Sequence, residues 1–327
     1  MNNLTDKYGR RYRYLRVSVT DRCNFRCKYC IPTHNFQFIE HSKILRYEDL
    51  IFALNIFSKN GIKKIRLTGG EPLVRKGLID FIKNIKKETE IEEITLTTNG
   101  SLLARFAEDL KSAGINRINV SIDSLKPERY QLITGGFNLD DIIRGIKSAQ
   151  NAGLFPIKVN TVLIRGFNDD EIIDFCNFAE ENNITVRFIE FMPIGNSKEW
   201  NKNSIITGKE VLDIISEHFS LTKIDKHKFE GPALNYKLSN GANIGIITPI
   251  SNHFCGECDK LRLTPEGKLR PCLLSDKEVD LAEAIKNRDE ERFLNIIKES
   301  LNIKDWSHHI ADCDTFNFSR TMSKIGG

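Results

Sequence analysis

Between residues 15 and 191 the chain alternates short β-branched runs with amphipathic helical stretches, at intervals of roughly 25–40 residues. Parallel strands need crossover connections, usually helical, so this rhythm predicts an α/β fold with a parallel sheet. The expected strands are Leu15–Thr20, Ile65–Thr68, Ile94–Thr98, Ile118–Ile122, Ile157–Leu163 and Val186–Phe191, and the expected helices Tyr47–Asn60, Leu78–Lys87, Leu102–Ala113, Leu139–Ala152 and Glu171–Asn182. Six such units fit an incomplete (β/α)6 barrel of TIM type, with an open doubly wound sheet as the alternative. Residues suited to chemistry follow the strands, as at the C-terminal face of a barrel: Thr-Asp-Arg-Cys, Thr-Gly-Gly-Glu-Pro, Thr-Asn-Gly and Ser-Ile-Asp-Ser. After Pro193 the rhythm stops. A polar loop over 194–208, a helix over Lys209–Phe219, short strands over 220–275 and helix over 276–304 are expected there. The division expected is a partial barrel at 1–220 and a smaller domain at 221–327 that closes the barrel mouth.

With 40% hydrophobic and 28% charged residues the composition is that of a soluble globular enzyme. A net charge of +4 is too small to imply nucleic acid. The longest apolar stretches, such as 243–250, are far short of a membrane span, and the polar N-terminus carries no secretory signal. A cytoplasmic enzyme is expected. Arg10, Arg11, Arg13 and Arg16 form a basic cluster that suits a phosphate-rich ligand or, for Arg10–Arg13, a solvated tail.

Six of eight cysteines fall into two groups, which points to metal sites rather than disulfides. Cys23, Cys27 and Cys30 have the spacing Cx3Cx2C directly after the first strand. Three thiolates can hold three corners of a four-iron cluster and leave one iron open, and a zinc knuckle with a distant fourth ligand is the alternative. Phe25 and Tyr29 would shield such a cluster from water. The turn Thr68-Gly69-Gly70-Glu71-Pro72 lets backbone approach a ligand closely. The second group, Cys255, Cys258 and Cys272, brackets a hairpin turning at Glu266-Gly267. It suits a second open cluster, or a structural zinc completed by His253 or Cys313. Cys176 reads as core packing, Cys313 as ambiguous, and Asp123, Glu190 and His308 as polar residues without an assigned role.

The Cx3Cx2C loop after an opening barrel strand, with Gly-Gly-Glu-Pro after the next, resembles the radical S-adenosylmethionine (SAM) superfamily. With the second cysteine set and the terminal Ile-Gly-Gly, the whole chain from Arg16 to Gly327 resembles the GTP 3′,8-cyclases, the molybdenum-cofactor biosynthesis protein A family. That resemblance implies two [4Fe-4S] clusters, on Cys23, Cys27 and Cys30 and on Cys255, Cys258 and Cys272, with SAM on the first and GTP on the second. It implies SAM contacts at Tyr29, Gly70, Ser121 and Met192. GTP contacts are implied at Arg16, Arg66, Thr97, Lys158, Lys260, Leu261 and Arg262. Lysine at 260 departs from the arginine expected in many members and loses the planar bidentate fork. The resemblance further implies a glycine tail entering the active site, a homodimer, a flavodoxin- or ferredoxin-like reductant, and handover of product to cyclic pyranopterin monophosphate synthase.

Overall fold

The computed structural model describes residues 3–31, 36–194, 200–225, 231–308, 310 and 318–326, so Cys313 and Gly327 lie outside the described residues. The six expected strands form within a residue or two of their expected ends: β1 (Tyr14–Ser18), β2 (Lys64–Thr68), β3 (Glu93–Thr98), β4 (Arg117–Ser121), β5 (Ile157–Leu163) and β6 (Thr185–Glu190). Each pairs in parallel with the next. The crossovers hold α1 (Tyr47–Lys59), α2 (Leu78–Glu88), α3 (Leu103–Ala113), α4 (Pro127–Thr134), α5 (Leu139–Asn151) and α6 (Ile172–Glu181). Most form for reasons visible in the sequence. In α5, Leu139, Ile142, Ile146 and Ala149 recur at helical spacing and are all buried, and the Asn138 side chain caps the N-terminus by accepting from the Asp140 N–H.

Helix α4 was not expected. It is short, begins at a proline that tolerates the first turn, and buries only Tyr130, Ile133 and Thr134, so its periodicity is faint.

The later segments hold α7 (Gly208–Ser216), β7 (Leu221–Ile224), β8 (Leu234–Leu238), β9 (Asn243–Ile247), β10 (Lys260–Leu263), β11 (Lys268–Arg270), β12 (Val279–Asp280), α8 (Ala282–Lys286), α9 (Glu290–Asn302) and α10 (Met322–Ile325). The helix expected over 276–304 is thus one short strand and two helices, broken where Arg288 takes φ +57°. These strands extend the same sheet at both edges, in the order β12-β11-β10-β1-β2-β3-β4-β5-β6-β9-β8-β7. Both β10 beside β1 and β9 beside β6 run parallel to the barrel strands. An incomplete barrel with its two edges carried on by the C-terminal third is the result.

Alternation along the strands separates two faces. Leu15, Val17, Ile65, Leu67, Ile94, Leu96, Ile118, Val120, Val159 and Val186 are buried in one core under the helices. The opposite face carries the polar residues between them. Phe293 of α9 joins that core edge-on to Phe57 of α1, with ring centroids 5.3 Å apart. Phe293→Ala is expected to destabilise the protein by about 3–5 kcal/mol, seen as a lower midpoint in urea unfolding, because it opens a cavity where α9 clamps α1.

Candidate active site

The strand register fixes which side chains share the inner face. Arg16 stands beside Arg66 on one side and Arg262 on the other. Thr97 lies beside Asn119, which in turn lies beside Lys158. Arg66 donates from Nη1 to Thr97 Oγ1 at 3.2 Å. Nearer the start of the strands Lys64 meets Glu93 at 3.0 Å, and Glu93 also accepts from Arg117 Nε at 2.6 Å. The layer above this floor is rich in cations. Burial, together with the neighbouring Arg66, brings Arg16 down to about 10, and burial and Arg16 hold Arg262 well below its ordinary value. Such a layer suits a polyanion.

At the C-terminal rim, the loop after β1 carries Cys23, Cys27 and Cys30. Helix α4 supports it, since Thr134 O accepts from Arg26 N at 2.9 Å and Ile133 O from Lys28 N at 3.1 Å. The Gly-Gly-Glu-Pro turn braces its other side. Gly70 N donates to Thr20 O at 2.7 Å and Glu71 N to Arg22 O at 2.8 Å. A Cβ at Gly70 would lie 2.3 Å from Arg22 O, so here glycine permits approach to the cysteine loop's own backbone. Burial raises Cys23 to about 11 and Cys30 to about 12, and it lifts Cys27 well above the usual thiol value. The thiols also repel one another as thiolates. Three thiolates can coexist there around cationic iron, which fits a cluster.

Cys255, Cys258 and Cys272 line a cavity of about 240 Å³ together with Lys304 and Trp306. Burial opposes the Cys258 thiolate, yet Lys304 and Lys260 outweigh it and hold this thiol below the ordinary value. The nearly buried Lys304 ammonium donates to Cys258 Sγ at 3.5 Å and to Lys260 O at 3.2 Å. A four-iron cube takes each thiolate at a separate corner, which a trio of this kind can supply.

Comparison with known proteins decides what this arrangement belongs to. Residues 17–179 match the radical SAM superfamily, and residues 184–310 match the family described as Molybdenum Cofactor Synthesis C. GTP 3′,8-cyclase of Petrotoga mobilis is 42% identical over 325 residues, 99% of this chain and 100% of that one. The GTP 3′,8-cyclase of Peptoclostridium acidaminophilum is 44% identical over 326 residues, 99% of this chain and 98% of that one. The chain belongs to the GTP 3′,8-cyclase family. Streptococcus suis SuiB bound to S-adenosylmethionine shares the fold, with a TM-score of 0.63 at 15% identity over 89% of this chain and 69% of that one. Enzymes of this family are radical SAM lyases that use SAM and iron–sulfur clusters. Among the described residues no helix is long and apolar enough to cross a membrane.

Most residues singled out in the sequence come together. Gly70 and Ser121 stand at or just past the ends of β2 and β4, Tyr29 lies in the cysteine loop after β1, and Met192 follows β6. Tyr29 and Met192 pack against one apolar cluster that contains Phe191 and Ile325. Leu261 is the exception. It is fully buried among core side chains on the helix side of β10, so only its backbone faces toward the inner layer's edge. Arg10 is neither a phosphate ligand nor a solvated tail. It is buried, ion-paired to Asp6 at 2.6 Å, and donates to the carbonyls of Cys255, Asp305 and Trp306 at 2.8–2.9 Å.

Several residues that position the site were not assigned in the sequence. Asp123 accepts from Tyr29 Oη at 2.7 Å and from Val162 N at 2.8 Å, and burial raises its carboxyl to about 6. Its place directly after β4 was the available signal. Asn99 reaches Cys23 Sγ at 3.8 Å and Asn24 at 2.9 Å. Glu190 ties the end of β6 to the Ile250 and Ser251 amides. His308 bonds Pro249 O through its ring and Cys255 through its backbone.

The C-terminal tail runs into the mouth of the sheet. Gly326 O accepts from Arg262 Nη1 at 2.8 Å and Arg16 Nε at 3.3 Å. Gly326 has φ +74°, and a Cβ there would stand 2.5 Å from Thr68 Oγ1. Gly326→Ala should therefore cost about 1–2 kcal/mol in backbone strain alone and partly expel the tail. Hydrogen exchange at the 323–326 amides is expected to accelerate roughly 5–30-fold while iron content is unchanged.

Proposed function

We propose that the chain converts GTP to 3′,8-cyclo-7,8-dihydro-GTP, the first step of molybdenum cofactor biosynthesis, by abstraction of the ribose H3′. The observation that carries this is the cationic inner layer of Arg16, Arg66, Lys158 and Arg262 in one continuous sheet, with a half-buried cysteine trio in the loop after β1 and another flanking β10 and β11. A four-iron cluster held by the first trio would supply the electron for reductive cleavage of SAM, and one held by the second would help bind the substrate.

In this reading Cys23, Cys27 and Cys30 hold the first cluster and Cys255, Cys258 and Cys272 the second. The labour divides between residues 1–220, with the first site, and 221–327, with the second. Tyr29, Gly70, Ser121 and Met192 orient SAM at the rim. Arg16, Arg66, Thr97, Lys158, Lys260 and Arg262 take the substrate, with the triphosphate on the cations, and Leu261 contributes main chain. Lysine at 260 supplies charge without a bidentate fork. The apolar cluster of Phe191, Trp200, Ile205 and Ile325 keeps water from the reacting carbons.

Electrons come from an acidic low-potential carrier of the flavodoxin or ferredoxin class. Arg22 and Arg26 lie 5.5 and 5.6 Å from the exposed Phe38 ring beside the first cysteine loop, a basic face for such a partner. The protein works in the cytoplasm as a homodimer, without nucleic acid, and passes product to cyclic pyranopterin monophosphate synthase.

Paired variants test the reading. Cys27→Ala should lose about four of about eight irons and all 5′-deoxyadenosine formation. Cys258→Ala should also lose about four irons but keep slow SAM cleavage, while GTP affinity and cyclised product collapse. Normal 5′-deoxyadenosine from the first variant, or full GTP affinity in the second, would overturn the assignment.

A further inference from the structure

Tyr14 opens β1 two residues before Arg16, on the same face, and is only 7% exposed. Its hydroxyl accepts from Arg66 Nε at 2.5 Å and hydrogen-bonds Arg16 as well. Its ring lies between two ammonium groups, Lys64 Nζ at 5.3 Å and Lys260 Nζ at 5.7 Å, contributed by the strands on either side. A buried tyrosine held for packing alone needs one partner for its hydroxyl, commonly a carbonyl. Here this oxygen meets two guanidinium groups, so it sits where an anionic oxygen would be stabilised. With its lone pairs accepting from Arg16 and Arg66, its remaining capacity is the O–H donor.

We propose that Tyr14 is a further residue of the triphosphate subsite, whose hydroxyl holds Arg16 and Arg66 in place and donates its proton to a phosphate oxygen. The inference rests on the reading of the basic layer as the GTP site. The charged groups that face Tyr14 are Arg16 on its own strand, Lys64 and Arg66 on β2, and Lys260 and Arg262 on β10. Two carboxylates stand behind them, Glu93 on Lys64 and Asp259 on Lys260. Burial alone would raise the phenol, but Arg66, Arg16 and Lys64 outweigh it and bring it down to about 7. The sign follows. Below that pH the neutral hydroxyl donates to phosphate. Above it the phenolate cancels one positive charge and repels the ligand, so GTP affinity falls as pH rises through about 7.

The test is calorimetric binding of GTP, inorganic triphosphate and guanosine to the anaerobically reconstituted holoenzyme, parent and Tyr14→Phe, at several pH values from 6 to 9. Tyr14→Phe should weaken GTP and inorganic triphosphate roughly tenfold or more near pH 6, leave guanosine unchanged, and flatten the pH dependence. Equal losses for all three ligands, or none, would reduce Tyr14 to a structural role. A parent enzyme that binds GTP no more tightly than guanosine would instead overturn the triphosphate reading itself, and this inference with it. Should Tyr14→Phe lose iron, 3-fluorotyrosine at position 14 keeps the hydroxyl and must move the affinity midpoint to lower pH. An unmoved midpoint would overturn the proposal.

Discussion

Positive charge on the inner face of a parallel sheet is the constraint around which this structure is arranged. A sheet covered on both faces ordinarily presents apolar residues to each, and here only the helix side does so. An isolated buried charge costs several kcal/mol, so Arg16, Arg66 and Arg262 must find partners. Their partners include the Tyr14 hydroxyl, the Thr97 hydroxyl and the Gly326 carbonyl. These groups satisfy hydrogen bonds but carry no formal charge of their own. The burial and the neighbouring Arg16 that lower the affinity of Arg262 for its proton would also favour a polyanion such as phosphate.

The two thiol trios depend on supports that come from elsewhere in the chain. The first loop is held by carbonyls at the end of α4 and by the turn after β2. The second is held by Arg10, which spans from the N-terminal hairpin to carbonyls on both sides of the cavity, and by Lys304 at the end of α9. Thiolates clustered in threes repel one another, and this bracing holds their loops in place. The tail closes the arrangement, because α10 places Ile325 in the apolar cluster and Gly326 between β1 and β2.

The six strands and all the helices through residue 191 except α4 were legible because each carries its own periodicity, and the cysteine trios because spacing along the chain reflects spacing on a loop. Lys64, Glu93 and Arg117 could not be read as a floor, since nothing local says that three strands put them side by side. For Arg10 the local sequence suggests solvent, while the carbonyls that hold its guanidinium lie 245 or more residues away.

Sequence by itself determined the βα order, the two cysteine sets, the Gly-Gly-Glu-Pro turn and the family, all of which are properties of neighbouring residues or of whole-chain similarity. Only the tertiary structure decided that β10 lies beside β1, so that Arg262 faces Arg16 while Leu261 turns to the core. The physical reason is that register between distant strands is set by packing of both faces at once. A shift of one residue would bury the cations under the helices and expose the leucines.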